Sequence, residues 1–370
     1  MDVIGIDIFG IVSFLFNIFK SNMLNIPLLK PLIDFLMGIP ILNLIVALVL
    51  WRPFFGVVIL PGLTGLMLYL LWIVYFERKL AARVQWRVGP IEVARPLRGA
   101  IQALADGIRY FFQEVIVHRE AHTPYFVQLP ILSFIPILLP LAFIPAGAVV
   151  GIRTPYALPL TVAFISLIPI FVIAIGWASN SRFAFIGSMR EAFMYFAYEI
   201  PFVLAAISMV YVYGSGDLYV AVEKQTIPGI LLNPLAFIVY LIVMLMATSR
   251  LPFEIPEADQ EIAFGPFVEY SGILFGLVMV LAYEKLYLMS LLFVILFLGG
   301  WSGVEIPLLG DLVAPLVLFI KAVVVISILV IVRAVYARYR LDQAIRFGWS
   351  NLFGLSVASL IFGIMVGWLM

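Results

Sequence analysis

The residues best suited to chemistry in this chain are carboxylates in unusual surroundings. Glu254, Glu257, Asp259 and Glu261 fall within eight residues, beside a single cation, Arg250. Like charges this close disfavour one another's ionised forms and titrate as a coupled set. Pro252 and Pro256 keep the stretch out of regular helix, and the interleaved Phe253 and Ile255 suit a cavity better than a solvated loop. A second set, Glu199, Glu269, Glu284 and Lys321, lies within or at the ends of long apolar runs, with Glu191 just before the run that starts at Phe193. Ionisable groups in such places are costly, face protein or water, and mark ion or proton pathways. A carboxyl withdrawn from water favours its neutral form, which suits a group that takes up and releases protons. Any one of them would serve equally well as the counter-ion of a nearby Arg or Lys; several together read as a path.

Other chemistries find no support. The chain has no cysteine and two histidines, which removes disulfides, thiolate metal sites, thiol catalysis and cysteine-ligated clusters. His118 and His122 stand four apart near Glu114 and Glu120, but no further ligand set accompanies them, so no metal site is assigned. No glycine pattern follows a strand and opens a helix as phosphate or dinucleotide binding requires. A net charge of +1 argues against nucleic acid as a partner.

The elements that must hold these groups are membrane helices. Of 370 residues, 64% are hydrophobic and 12% charged, against about 45–50% and 25% in soluble domains. A crossing helix needs about 20 apolar residues, and eight stretches qualify: 54–76, 126–149, 158–178, 193–213, 229–247, 266–283, 312–332 and 352–370. Runs at 4–19 and 35–50 give an N-terminal extension with up to two more spans. Asp2 and Asp7 stand where a secretory signal would carry cations, so the N-terminus reads as uncleaved.

Connections 77–125, 179–192, 248–265 and 333–351 hold fifteen of the 22 cations, Arg95 among them, which predicts that these loops are cytoplasmic. That orientation makes 286–301 a re-entrant or tilted continuation and not a separate span. After Phe76 a continuing helix would put Lys79, Arg83 and Arg87 on one face, available to anionic lipid or an acidic partner. Gly89-Pro90 then ends it, and 101–112 reads as a short amphipathic helix marked by Asp106 and Arg109. The prediction is an all-α, polytopic transmembrane bundle in the cell membrane: an extension, 1–52, and one membrane domain, 53–370.

In their motifs these loops resemble the H-type membrane subunit of respiratory complex I, which forms the membrane end of the quinone cavity, and its relatives in archaeal membrane-bound hydrogenase and sulfur-reductase complexes. The resemblance rests on Glu77-Arg78-Lys79, Gln85, Arg87, Gly89-Pro90, Gln102, Ala105-Asp106-Gly107 and Glu114 in the first loop. It continues through Trp177-Ala178-Ser179-Asn180-Ser181, Gly187, Arg190 and Tyr198-Glu199, then Arg250, Pro252-Phe253-Glu254, Pro256-Glu257-Ala258, Glu261 and Glu269-Tyr270-Ser271-Gly272. Gly299-Gly300-Trp301 and Arg338-Tyr339-Arg340-Leu341-Asp342-Gln343 complete it.

The resemblance implies a non-catalytic subunit that binds no cofactor through cysteine. A quinone would enter its cavity, and iron–sulfur clusters and any Ni-Fe site would lie in partner subunits. Those partners would be peripheral cluster-bearing or hydrogenase-like subunits and antiporter-like membrane subunits. It assigns Glu77, Arg78, Arg87 and the loop with Arg250, Glu254, Glu257, Asp259 and Glu261 to the cavity and its coupling loop. Glu199 and Glu269 fall to a proton path, to which the apolar surroundings of Glu191 and Glu284 add those two, and Asp106, Arg190, Arg340 and Asp342 are expected at the docking face. Three departures from the family's pattern, the added Glu191, Glu254 in an aspartate's place and the order Ala282-Tyr283-Glu284, lean toward the archaeal hydrogenase or sulfur-reductase type. The competing expectation is a stand-alone secondary ion transporter, whose related halves are not found here.

Overall fold

The computed structural model describes residues 8–93, 96, 98–304 and 306–369. Asp2, Asp7 and Arg95 lie outside the described residues. The extension contributes α1 (Ile8–Ser21), α2 (Lys30–Met37) and α3 (Pro40–Leu50). The body follows with α4 (Leu63–Val84), α5 (Gln102–Phe112), α6 (Thr123–Leu132), α7 (Ile135–Phe143), α8 (Ala157–Ala178) and α9 (Arg182–Tyr213). It closes with α10 (Pro234–Ala247), α11 (Gly272–Phe297), α12 (Val313–Val335) and α13 (Phe353–Leu369). Among the described residues only two isolated bridges, Met23 with Trp51 and Ala146 with Val149, interrupt an all-helical architecture.

Seven helical runs among the described residues are long and apolar enough to cross a membrane. The expected eighth, 229–247, is broken: one helical turn ends at Leu232, Asn233 caps the next helix by accepting from the Ala236 amide, and α10 has 14 residues. At 1.5 Å per residue α10 alone is about 21 Å long, and the Arg190–Glu261 pair brings the start of α9 and the loop after α10 to one level, so the segment returns as a broken helix. The expected span 126–149 is one of the seven runs, with an interruption at Ser133 and Phe134 that separates α6 from α7. In the extension the described parts of α1, α2 and α3 have 14, 8 and 11 residues.

The centre of the bundle is α11. In its most apolar stretch 83% of residues are buried inside the chain, against 50% or less in every other span. Residues 286–297 are the continuation of this one helix. Against it lie α4, α8 and α12 among others, while α9 packs on α8, α10 and α13. With 32 residues α9 is about 48 Å long and overshoots the hydrocarbon, so its N-terminal turns reach the loop level. Lys321 on α12 donates to the carbonyls of Leu298, Gly300 and Ser302 at 2.9–3.0 Å, in the turn that follows α11. That accounts for this intramembrane cation as a clamp on the turn.

Candidate functional site

The acidic loop folds inward. Leu251 to Ala258 form turns and extended chain, as the prolines dictate, and only Asp259–Ile262 makes a helical turn. Phe253 and Ile255 are each 3% exposed. The Phe253 ring meets Tyr339 and Phe347 at 5.5 and 6.1 Å, and the Tyr339 amide donates to the Pro252 carbonyl at 2.9 Å. This anchoring presses the loop's charged residues against two groups of buried side chains.

The first group centres on Glu77, buried on α4. Arg250 from the loop and Arg333 from the end of α12 both pair with it, and the Tyr283 hydroxyl on α11 donates to its other oxygen at 2.9 Å. The Arg250 guanidinium also lies 4.8 Å from the Tyr283 ring centre, and Arg333 reaches Glu254 at 3.3 Å. Burial would lower the Arg250 pKa, but Glu77 more than offsets this and holds it above the ordinary value. A buried carboxylate with two guanidiniums and a phenol stays ionised in place, joining α4, α11, α12 and the loop. Arg333 and Tyr283 were not singled out in the sequence. Each sits at or near the end of an apolar run, where it reads as an interfacial anchor.

The second group surrounds a small cavity, about 20 Å³, lined by Glu191, Ser249, Glu257 and Lys285 among apolar residues. Ser249 faces Glu191 across this space, and Lys285 donates to the Tyr198 hydroxyl at 2.9 Å while standing 4.9 Å from that ring's centre. At the next residue of α9, Glu199 accepts from Ser166 of α8. Burial, reinforced by the charges of Glu191 and Glu254, pushes Glu257 up to about 8. Burial also raises Glu254, with Arg333 opposing and Asp259 adding, and burial raises Asp259. Glu261 goes the other way: hydrogen-bonded by Arg190 and faced by Arg338, each at 2.5 Å, it is held below the ordinary range. The loop therefore carries one exposed, ionised acid and one inward acid that is neutral at pH 7.

The remaining expected residues fall as follows. Glu269 lies half-buried in the turn before α11, not inside a span, and none of the described hydrogen bonds or ion pairs joins it to the other carboxylates. Glu284 is fully buried on α11, and both its oxygens lack a hydrogen-bond partner. Arg78 pairs with Asp106 at 2.6 Å, and Gln102 donates to the same carboxylate, so Asp106 ties α5 to α4. Arg190 is engaged by Glu261, while Arg340 and Asp342 form an exposed pair at 3.3 Å.

The expected stripe of cations is cut short because α4 ends at Val84 and Trp86 takes a positive φ of 55°. Arg87 leaves the helix face and bonds Gln85, yet it still lines one open cleft with Lys79, Arg83 and Arg98. His118 and His122 are taken up by rings, the former edge-on to Phe126 and the latter stacked on Trp177 at 4.7 Å.

Residues 57–364 match the family model described as NADH dehydrogenase. A Dehalococcoides mccartyi protein, named as the H subunit of NADH-quinone oxidoreductase, is 37% identical over 292 residues, covering 78% of this chain and 80% of that protein. A Geobacillus kaustophilus protein of the same name is 34% identical over 291 residues, 77% and 85% of the two chains. A Rhizobium etli protein, likewise named as an H subunit of that oxidoreductase, is 34% identical over 315 residues, 82% and 91%. With its seven membrane-length helices and its loop-anchored carboxylates, the chain belongs to the family of H subunits of NADH-quinone oxidoreductase, the multi-pass membrane subunits of complex I.

Proposed function

We propose that this subunit anchors a cluster-bearing peripheral arm and couples its redox reaction to ion translocation through buried carboxylates. The observation that carries the reading is the loop 250–262, which touches both groups at once. Arg250 and Glu254 join the Glu77 cluster while Glu257 enters the cavity with Glu191 and Lys285. A charge change on the peripheral side of that loop acts on acids in the spans, since like charges at short range set one another's protonation. The cavity and coupling loop comprise Glu77, Arg78, Arg87, Arg250, Glu254, Glu257, Asp259 and Glu261. Glu191, Glu199, Glu269 and Glu284 form the path, and Arg340 and Asp342, exposed and paired, face the docked arm. The loops rich in cations lie on the cytoplasmic side. Antiporter-like subunits receive the ion in the membrane.

A second reading concerns the electron acceptor. The relatives named above are bacterial quinone oxidoreductases by name, and a quinone at the cavity follows from that kinship. The added carboxylate Glu191, facing a lysine in the protein interior, favours instead an archaeal hydrogenase or sulfur-reductase type of assembly, with any Ni-Fe site in a partner.

The test is replacement of Glu199 and of Glu269 by Gln in the assembled complex. Each variant should assemble and transfer electrons while moving fewer ions per electron. Unchanged stoichiometry at several pH values removes that residue from the path. Purification of the chain alone with ion exchange in liposomes would replace this reading with that of a secondary transporter.

A further inference from the structure

We propose that Lys285 carries protons between the loop carboxyl Glu257 and Glu199, with Glu191 as the carboxylate that steadies its charged form in transit. The proposal rests on the coupling reading above and adds a cationic carrier to what is otherwise a row of acids.

Distance is the first reason. Glu191 and Glu199 are eight residues apart on α9, about 12 Å along the axis, too far for a direct proton hop between hydrogen-bonded groups. Lys285 approaches this gap from α11, within electrostatic reach of both, and its ammonium bonds the Tyr198 hydroxyl, which is itself within electrostatic reach of Glu199. On its other side is the cavity of about 20 Å³ that it shares with Glu191, Ser249 and Glu257. That is room for about one water, with enough polar partners to hold it.

The second reason is the contrast with the neighbouring cluster. Around Glu77 the buried cations are arginines, which do not deprotonate in proteins, and they close ion pairs. Lys285 is 4% exposed, yet among the described residues it closes no ion pair; it faces a phenol and a water-sized space. A fixed counter-ion would be seated on a carboxylate. An amine left at the junction of Glu191, Tyr198, Glu199 and Glu257 is placed to exchange its proton, and lysine is the cation whose charge yields to burial.

The transfer balances. A neutral Lys285 amine takes a proton from Glu257 through the intervening water, leaving Glu257 ionised. The ammonium, opposite ionised Glu191, gives a proton to the Tyr198 hydroxyl as that hydroxyl passes its own to Glu199. The amine is thereby restored, and Glu257 is reprotonated from the loop side.

The discriminating variant is Lys285→Arg in the whole complex reconstituted into vesicles, read as protons translocated per electron alongside assembly and electron-transfer rate. Arginine keeps the charge and cannot release it. Retained assembly and electron transfer with a several-fold loss of proton translocation is the expected result. Wild-type stoichiometry in Lys285→Arg overturns the relay and makes Lys285 a counter-ion.

Where the larger guanidinium prevents assembly, Lys285→His and Lys285→Gln decide the matter. Coupling kept by His and lost in Gln upholds the relay, and equal coupling in both overturns it. A wild-type complex that transfers electrons while moving no ion overturns the coupling reading and the relay together, and one that moves sodium but no protons overturns the relay alone.

Discussion

At the scale of single residues, protonation state is decided by which way a side chain of one short loop points. Glu257 and Glu261 are four residues apart and chemically identical, but one enters a cavity with Glu191 and the other lies exposed between Arg190 and Arg338. A carboxyl raised to about 8 binds its proton more tightly in the folded protein than in the unfolded chain. Its contribution to stability is therefore complete below the ordinary carboxylate value and is lost as pH rises through about 8. We expect the detergent-solubilised complex to lose thermal stability between about pH 5 and about pH 8, and Glu257→Gln to flatten that slope. An unaltered slope in the variant would mean that another group controls it.

At the scale of elements, the loop works because α9 lets it come close. A Cβ on Gly187 would stand 2.6 Å from the Gly265 Cα and from the Pro266 Cδ, and Gly265 has a φ of +52°. Glycine at 187 is what permits the segment after the acidic loop to lie on the helix that carries Arg190, Glu191 and Glu199. Gly187→Ala should displace that segment, with an overpacking cost of about 1–3 kcal/mol. Differential scanning of the assembled complex reads the cost. Protease cleavage within 250–265 reads the displacement, and normal values in both would show that the contact yields without consequence.

The element α11 has a parallel role: one uninterrupted helix carries Tyr283, Glu284 and Lys285 through the centre of the bundle. Its C-terminal carbonyls are held by Tyr213 and Gln225, and the turn that follows by Lys321.

At the scale of the whole molecule, the chain before the family match is held by contacts to the body. The family match begins at residue 57, and Leu24, Ile26, Ile33 and Leu50 form a small apolar cluster of their own with Phe55 and Val149. Asp311 clamps it, accepting from the Arg52 guanidinium at 2.9 Å and from the Asn25 amide at 3.0 Å. Both side chains of that pair keep partial contact with solvent, so Asp311→Ala should cost only about 1 kcal/mol. It should nonetheless expose the segment near Asn25 to limited proteolysis while leaving assembly of the body intact. Unchanged cleavage would assign the attachment to the apolar cluster alone.

What the sequence determined by itself was the solvent and the list of candidates. An apolar excess and 20-residue periods need no tertiary information, because the bilayer obliges each span to satisfy its own backbone. The motifs at Glu77, Arg250 to Glu261 and Glu199 were likewise legible in order along the chain. Tertiary structure decided how these candidates divide.

Glu77 and Arg250, 173 residues apart, form one ionised cluster, whereas Glu191, Glu257 and Lys285 share another space. Glu269, expected within or at the end of an apolar run, lies in the turn before α11, and the expected span 229–247 is broken at Asn233. Apolar periodicity records how much surface a helix buries. It does not record which face meets which neighbour, and the low dielectric between those faces sets the charge of every group at this site.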